Sequence, residues 1–225
     1  MKSCKRKFTI DDNTVSSKGQ LPEDKYATFV GNEDAKRRVL IVGNSITRHG
    51  VNESIGWLGD WGMAASEREK DYVHLLFDRV SKKEDVLFMV HQLAHWERDV
   101  EREDAYLVAK ASHDFKPDTV IFRLGENISR SVPKKTLESA ISSLVDYICP
   151  KGAKIIFTTC FWKNLVLDNV IRSVAARLGA MVAELNDLGE DDRYMAVGLF
   201  AHDGVAHHPG DLGMQVIAER IYNLM

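Results

Sequence analysis

Three short polar segments of the chain contain the side chains that could carry out acyl-transfer chemistry. They are Gly43-Asn44-Ser45, Gly125-Glu126-Asn127 and the stretch from Asp203 to His208, and they supply a hydroxyl, carboxamides, carboxylates and imidazoles. A serine becomes a nucleophile when an imidazole accepts its proton and a carboxylate fixes the tautomer of that imidazole. Ser45 has the residue type of such a nucleophile, and Asp203 is placed to hold an imidazole nitrogen.

Each segment also has an ordinary structural interpretation. Ser45 alone could be the N-cap of a helix, and Asn127 alone could be a turn residue after a glycine. An aspartate and a histidine in one loop could form a surface hydrogen bond. One active site explains all three segments together, whereas the ordinary interpretations require three independent coincidences.

The hydrophobic pattern places these segments at one edge of a sheet. Apolar runs predict strands, and three- and four-residue spacing of apolar side chains predicts helices between them. This alternation is typical of a mainly parallel, five-stranded sheet in a three-layer α/β/α sandwich, where ligands bind beyond the carboxyl ends of the strands. The predicted strands are 39–43, 86–90, 119–124, 155–160 and 180–185, and the predicted helices are 67–80, 95–115, 134–148, 164–178 and 211–224.

Composition predicts one domain that needs no nucleic-acid or membrane partner. The chain has 225 residues, 44% of them hydrophobic, and a formal charge of -3, which is unlike the basic face of a nucleic-acid binder. No apolar run is long enough for a membrane helix, and none follows the basic N-terminus as it would in a signal peptide. The sequence therefore predicts a cytoplasmic protein unless a signal peptide has been removed.

We expect 1–36 to be an extension that packs on the domain or caps its sheet, and 37–225 to be the domain. The cysteines, Cys4, Cys149 and Cys160, lack metal-site spacing and read as reduced thiols.

Four blocks of residues resemble the SGNH (GDSL-type) hydrolases. Gly43-Asn44-Ser45-Ile46-Thr47 is similar to the first block of that family, and Asp60-Trp61-Gly62-Met63 to the second. Gly125-Glu126-Asn127 is similar to the third block, and Asp203 with His208-Pro209 to the fifth. The four occur in the order of the family and extend from about residue 39 to the C-terminus, which makes the resemblance more specific than any single block.

The resemblance implies a flavodoxin-like SGNH fold and a role for each matched residue. Ser45 would be the nucleophile, His208 the general base and Asp203 its orienting acid. The backbone N–H groups of Ser45 and Gly62, with the side-chain amide of Asn127, would form the oxyanion hole. Neither a cofactor nor a metal is implied.

Three departures from the family pattern stand out. Asn44 replaces the usual aspartate, and Ile128 follows Asn127 where many members have aspartate. Asp203 precedes His208 by five residues rather than the more usual three. His207 is therefore an alternative base, although the His-Pro pair that enters the last helix favours His208.

Several other residues have chemical potential. His91 and His95 are four residues apart, with Glu97 close by, and could lie on one helix face as metal ligands, but a strand runs up to His91 and a third ligand is not evident. Arg123, inside a predicted strand, is expected to pair with a carboxylate such as Glu126. The four tryptophans could be ordinary packing residues or platforms for sugar rings; they are Trp57, Trp61, Trp96 and Trp162.

The sequence therefore predicts a serine esterase that forms an acyl-serine intermediate. The aromatic residues at strand ends favour an O-acetyl group of a carbohydrate as the substrate, and a small-molecule or glycan ester as the partner. Two alternatives remain open: a glycan-binding or scaffold domain without catalysis, and an esterase or thioesterase that acts on acyl lipids.

Overall fold

A six-stranded sheet forms the centre of the structure, which is a computed structural model that describes residues 26–225. Its strands are β1 (Ala27–Gly31), β2 (Arg37–Gly43), β3 (Val86–Gln92), β4 (Thr119–Arg123), β5 (Lys154–Thr158) and β6 (Met181–Ala183). They lie in the order β1-β3-β2-β4-β5-β6. Only β1 is antiparallel to its neighbour, and the remaining strands are parallel.

Helices cover both faces of this sheet, so the predicted three-layer α/β/α sandwich is confirmed. Along β2, Val39 and Ile41 pack under the helices at 72–81 and 211–222, while Leu40 and Val42 pack under those at 134–148 and 165–178. Alternate side chains of a strand point to opposite faces, and a strand covered on both faces is apolar throughout. Among the described residues the α-helices are α1 (Tyr72–Ser81), α2 (Ala94–Arg98), α3 (Lys110–Phe115), α4 (Lys134–Ile148), α5 (Leu165–Leu178), α6 (Asp203–Ala206) and α7 (Asp211–Tyr222).

The sheet has one strand more than the five that the sequence predicts. β1 pairs with the edge of β3, and covering an exposed edge prevents that strand from pairing with other chains. The sequence gives a weak signal here because the segment is only partly buried and Phe29 is exposed. β1 lies within the predicted extension 1–36, and residues 1–25, including Cys4, lie outside the described residues. The boundary at residues 36 and 37 stays a prediction.

The single helix predicted at 95–115 is wrong. α2 ends at Arg98, a charged turn follows, and the chain resumes as a 3-10 helix at Ala105–Ala109 that leads into α3. The reason is that residues 101–104 are all charged and exposed, so no apolar stripe continues through them. The break lets the short α2 take its direction from β3, which carries Glu97 into the protein interior.

The register of the central strands sets the position of the polar segments. Gly43, at the end of β2, lies opposite Gln92 of β3 and Arg123 of β4. The chain therefore leaves all three strands side by side at the same edge. The turn after β2, the helix α2 after β3 and the loop after β4 meet there, as expected for a ligand site in a parallel sheet.

Among the described residues, no helix has both the length and the apolar character required to cross a membrane. The thiols of Cys149 and Cys160 are both free. Burial raises the pKa of Cys149 to about 12 and that of Cys160 well above its ordinary value, so both remain protonated at neutral pH.

Candidate active site

Ser45 and His208 form a buried pair at the carboxyl edge of the sheet. The Oγ atom of Ser45 is 2.8 Å from Nε2 of His208, and only 7% of the serine and 5% of the histidine is exposed. Ser45 does not cap a helix, because residues 44–47 form one turn closed by Asn44 and the chain then extends. The N-cap interpretation is therefore wrong, and the hydroxyl points to the imidazole instead.

The partner of the other ring nitrogen of His208 differs from the one that the sequence predicts. Nδ1 of His208 is 2.6 Å from the carbonyl oxygen of Gly204. A carbonyl can only accept, so Nδ1 carries the proton and Nε2 is left to accept the proton of Ser45. A backbone carbonyl thus occupies the position that the sequence assigns to the carboxylate of Asp203.

The local helix explains why Asp203 does not reach the histidine. Residues 203–206 form α6, and the amide of His207 donates to the carbonyl of Asp203. On a helix, residues four apart lie on one face, so Gly204 lies beneath His208. A residue five positions away lies on another face, and Asp203 is exposed to solvent. The sequence-based role of Asp203 assumed an extended loop here, and the structure contains a helical turn.

His207, the alternative base, does not contact Ser45. Its Nδ1 is 2.7 Å from the carbonyl oxygen of Asp203, on the outer side of the helical turn. Between the two histidines, the structure brings His208 to the serine.

The surroundings of His208 keep its imidazole neutral. Burial lowers the pKa of His208 to about 3; the bond to Gly204 opposes the shift, and nearby His49 and Arg123 add to it. The indole of Trp162 meets the imidazole edge-on, with ring centroids 5.1 Å apart. The ring can therefore accept a proton from Ser45 in water of ordinary pH, but it holds that proton weakly.

The three expected oxyanion donors have different surroundings. The N–H of Ser45 makes no backbone hydrogen bond within the described residues. The N–H of Gly62 donates to the buried carboxylate of Asp71 at 3.0 Å. A side chain at position 62 would come within 2.7 Å of the carbonyl of Ile46, so the glycine permits close packing beside Ser45. An oxyanion would have to compete with Asp71 for the Gly62 amide.

Asn127, the third expected donor, is held at both ends of its carboxamide. Its Nδ2 donates to Oε2 of Glu97, while its Oδ1 accepts from the guanidinium of Arg98 at 3.0 Å. The two contacts together define which end of the amide is nitrogen. Glu97 and Arg98 are neighbours on α2, so one short helix sets the orientation of this side chain.

A buried charged network lies behind Ser45. Arg123 forms two hydrogen bonds with Glu126, at 2.6 and 2.8 Å, which confirms the predicted pair. The Nδ2 atom of Asn44 donates to Glu126 at 2.6 Å and to Glu97 at 3.0 Å. Asn44 thus separates two buried carboxylates, which explains why an amide stands where the family pattern has an acid.

Sequence reasoning missed three contributors to the site. Glu97 appeared only as a possible metal ligand, and Asp71 and the carbonyl of Gly204 did not appear at all. A glutamate among apolar residues just after a strand was a signal, since buried acids are rarely found without partners. A backbone carbonyl carries no side-chain signal.

The other candidates have structural roles in the described part of the chain. Nδ1 of His91 is 2.7 Å from Oγ of the buried Ser112, and His95 stacks on Tyr26. Residues 26–225 contain no group of three or more metal-ligating side chains. Trp57 packs edge-on against Trp61, with centroids 5.5 Å apart, in the loop that precedes Gly62.

Comparison with solved structures identifies the fold. A lipase/acylhydrolase from Enterococcus faecalis is 16% identical, with a TM-score of 0.54 over 83% of this chain and 94% of that one. An active-site mutant of a family two carbohydrate esterase from Clostridium thermocellum is 16% identical, with a TM-score of 0.54 over 85% of this chain and 64% of that one. A lipolytic G-D-S-L family protein from Veillonella parvula is 12% identical, with a TM-score of 0.52 over 84% of this chain and 98% of that one. The protein has the fold of the SGNH hydrolases.

The chain matches no protein-family model and no curated protein sequence. The likeness to known proteins is thus one of fold, at 12–16% identity for these three structures.

Proposed function

We propose that the protein is a serine esterase that removes O-acetyl groups from a carbohydrate. The observation that carries the proposal is the contact of 2.8 Å between Ser45 Oγ and His208 Nε2, at the carboxyl edge of the sheet. The fold it shares with esterases and lipases supports hydrolysis of an ester.

The mechanism follows from the tautomer of His208. As Oγ of Ser45 attacks the ester carbonyl carbon, Nε2 takes the hydroxyl proton and the carbonyl oxygen becomes an oxyanion. The N–H of Ser45 and the amide of Asn127 stabilise that charge, and each such donor is worth about 3 kcal/mol of barrier. The alcohol leaves with the proton from Nε2. Water then repeats the sequence on the acyl-serine and releases acetate.

The neutral carbonyl of Gly204 stabilises the positive charge of a protonated His208 less than a carboxylate would. Gly204 fixes the tautomer of His208, but it brings no negative charge to the protonated ring. We therefore expect a slower enzyme than one with an acid in this position. Protonation of His208 by itself should not limit the rate until the pH is well below neutral.

The substrate class is proposed from aromatic residues around the pair. Trp162 contacts His208, and Trp61 lies in the loop that leads to Gly62. Both are partly exposed, and indole faces can stack on the C–H faces of sugar rings. One of the structures that share the fold is a family two carbohydrate esterase.

One observation favours the acyl-lipid alternative. Leu58 is 70% exposed in the loop before Gly62, and Leu199 is 73% exposed in the loop before α6. Trp57 and Phe200, which neighbour them, have ring centroids 6.0 Å apart, so the two loops touch. Apolar side chains in this place could contact a long acyl chain.

A single set of assays tests the proposal. Purified protein should hydrolyse 4-nitrophenyl acetate, react with a fluorophosphonate probe at Ser45, and lose both properties in S45A. Retained hydrolysis in S45A, or no labelling of the wild type, would rule out the serine mechanism and favour a binding domain. A panel of esters of increasing acyl length separates the substrates: preference for acetyl supports a deacetylase, and preference for long chains supports the lipid alternative.

A further inference from the structure

Glu97 lies at the centre of the contacts that hold the site together, although it belongs to none of the family blocks. Its Oε1 accepts from the backbone amide of Gly125 and from Nδ2 of Asn44, and its Oε2 accepts from Nδ2 of Asn127. The side chain is completely buried. A carboxylate with three N–H donors and no hydroxyl partner is an acceptor only.

Asn127 can adopt two orientations that differ by a flip of the carboxamide. With Glu97 as an acceptor on one side and the Arg98 guanidinium as a donor on the other, only one orientation satisfies both neighbours. In that orientation one N–H of the amide nitrogen binds Glu97, and the second N–H is the donor that stabilisation of an oxyanion requires. The flipped orientation would place the amide oxygen against a carboxylate and the amide nitrogen against a guanidinium.

We propose that Glu97 is a positioning residue that, with Arg98, fixes the amide of Asn127 for oxyanion stabilisation, and that neutralising Glu97 releases this orientation. The proposal rests on the esterase function proposed above. A neutral carboxyl keeps one acceptor oxygen, and Oε1 in that role still accepts from the two donors Gly125 and Asn44. The other oxygen then carries a hydrogen toward Asn127, which favours the flipped amide.

The surroundings of Glu97 place its titration near neutral pH. Burial, with the negative charge of Glu126 beside it, raises the pKa of Glu97 to about 7, against the hydrogen bonds that lower it. The other charged or titratable groups around it are Arg98 on its own helix, Arg123 of β4, which binds Glu126, and the thiol of Cys160 after β5. Below about pH 7 the carboxyl is protonated, so kcat should fall on the acid side of that value.

The fall of kcat at acidic pH that Glu97 would cause, called here the acid limb, differs from a fall caused by protonation of His208. The pKa of His208 is lowered to about 3, so its own limb lies far below that of Glu97. Replacing Glu97 by glutamine keeps the size of the side chain and mimics the neutral carboxyl. E97Q should therefore abolish the limb near pH 7, whereas a limb that belongs to His208 would persist in E97Q.

The kinetic test compares wild type, E97Q, N127A and the double variant E97Q/N127A between pH 5 and 9, with 4-nitrophenyl acetate as substrate. We expect E97Q and N127A each to lower kcat about 10²–10³-fold at pH 8 with little change in KM, as for loss of one oxyanion donor. Since Glu97 acts through Asn127, the double variant should be no slower than N127A by more than about twofold. E101Q, which removes an exposed carboxylate nearby, is the matched control and should keep the wild-type profile. Multiplying effects in the double variant, or a limb that survives in E97Q, would overturn the proposal.

A second measurement does not depend on activity. The side-chain amide resonance of Asn127, assigned by its loss in N127A, should titrate with a midpoint near pH 7 in the wild type and not in E97Q. If S45A shows that Ser45 hydrolyses nothing, the esterase proposal fails, and this titration still decides whether Glu97 orients Asn127. If hydrolysis depends on Ser45 while the Asn127 amide fails to respond to Glu97, the positioning role alone is overturned.

Discussion

At the scale of single residues, the proposed base is oriented by the backbone of its own helical turn. Gly204 and His208 are four residues apart, the spacing at which side chains and carbonyls meet on one helix face. Asp203, the acid that the sequence predicts as the partner of His208, is five residues away from that histidine and is exposed to solvent. The proton on Nδ1 is therefore placed by secondary structure, and within the described residues no hydrogen bond joins Asp203 to the imidazole.

The role of Asp203 can be tested by removing its charge. In D203N we expect kcat/KM to stay within about threefold of the wild type, because the carbonyl of Gly204 remains. H208A should lower it by about 10⁴-fold, the order found when a general base or its tautomer is lost. The measurement is steady-state hydrolysis of 4-nitrophenyl acetate at pH 8.

The control for this experiment is H207N, which changes the neighbouring imidazole and should have a small effect. A loss of about 10³-fold or more in D203N would mean that the aspartate reaches His208 during turnover, and the sequence-based triad would then be correct.

At the scale of elements, the site depends on three segments that leave neighbouring strands. The turn after β2 supplies Asn44, α2 supplies Glu97, and the loop after β4 supplies Glu126. Arg123, inside β4, compensates one of the two carboxylates. An uncharged amide at position 44 is required because it must donate to both acids, and an aspartate could only accept.

An aspartate at position 44 therefore tests this network, although it would restore the family pattern. N44D would place a third carboxylate against Glu97 and Glu126 and remove the donor between them. We expect a loss of about 3 kcal/mol or more in the free energy of unfolding, the cost of an uncompensated buried charge. Urea unfolding at pH 8 measures it.

The double variant N44D/E97Q provides the matched control, since it returns the number of carboxylates to two. It should recover at least half of the lost stability. Equal stability of N44D and wild type would show that the network tolerates the extra charge, and the explanation of Asn44 would be wrong.

The elements themselves could largely be predicted from the sequence. The buried strands β2 and β4 have continuous apolar runs, and α4 occupies the predicted residues 134–148 because its apolar side chains recur every three or four positions. β1 and α2 could not be predicted in this way. Their positions depend on pairing with β3 and on burial of Trp96 and Glu97, which are contacts between distant parts of the chain.

At the scale of the whole molecule, the fold is shared with SGNH hydrolases at an identity that leaves most side chains different. What could be predicted was the edge of the sheet where the candidate site lies and the pairing of Ser45 with His208, while the roles of these residues and of Asn127 stay predictions. What could not be predicted were the acceptors around them. Glu97, Asp71 and the carbonyl of Gly204 are chosen by three-dimensional packing, and no spacing rule in the sequence identifies them.

The buried titratable groups also make the stability of the molecule depend on pH. Burial lowers the pKa of His91 to about 4 and that of His208 to about 3, whereas both have a value near 6.5 when unfolded. Below pH 6.5 the unfolded chain binds more protons at these residues, so they destabilise the fold as pH falls. Glu97 has the opposite effect on stability as pH falls. Its pKa is raised from 4.5 to about 7, so the folded state takes up the proton at a higher pH than the unfolded chain does.

Between pH 6.5 and 4.5, the unfolded chain binds about two more protons than the folded state at His91 and His208, and about one fewer at Glu97. The unfolded chain therefore binds about one proton more in total at these three residues. The contribution of these three residues to the free energy of unfolding should therefore fall by about 1.4 kcal/mol for each pH unit of acidification in this range, and the lowered pKa of buried His49 adds to the loss. Urea unfolding at several pH values measures the slope.

H91N should reduce the slope by about one proton even if it lowers stability at every pH, and E97Q should increase it by about one proton. H202N, which replaces an exposed histidine, is the control for the substitution itself. An H91N slope equal to that of the wild type would mean that His91 already carries its proton in the fold, and that burial does not hold it neutral.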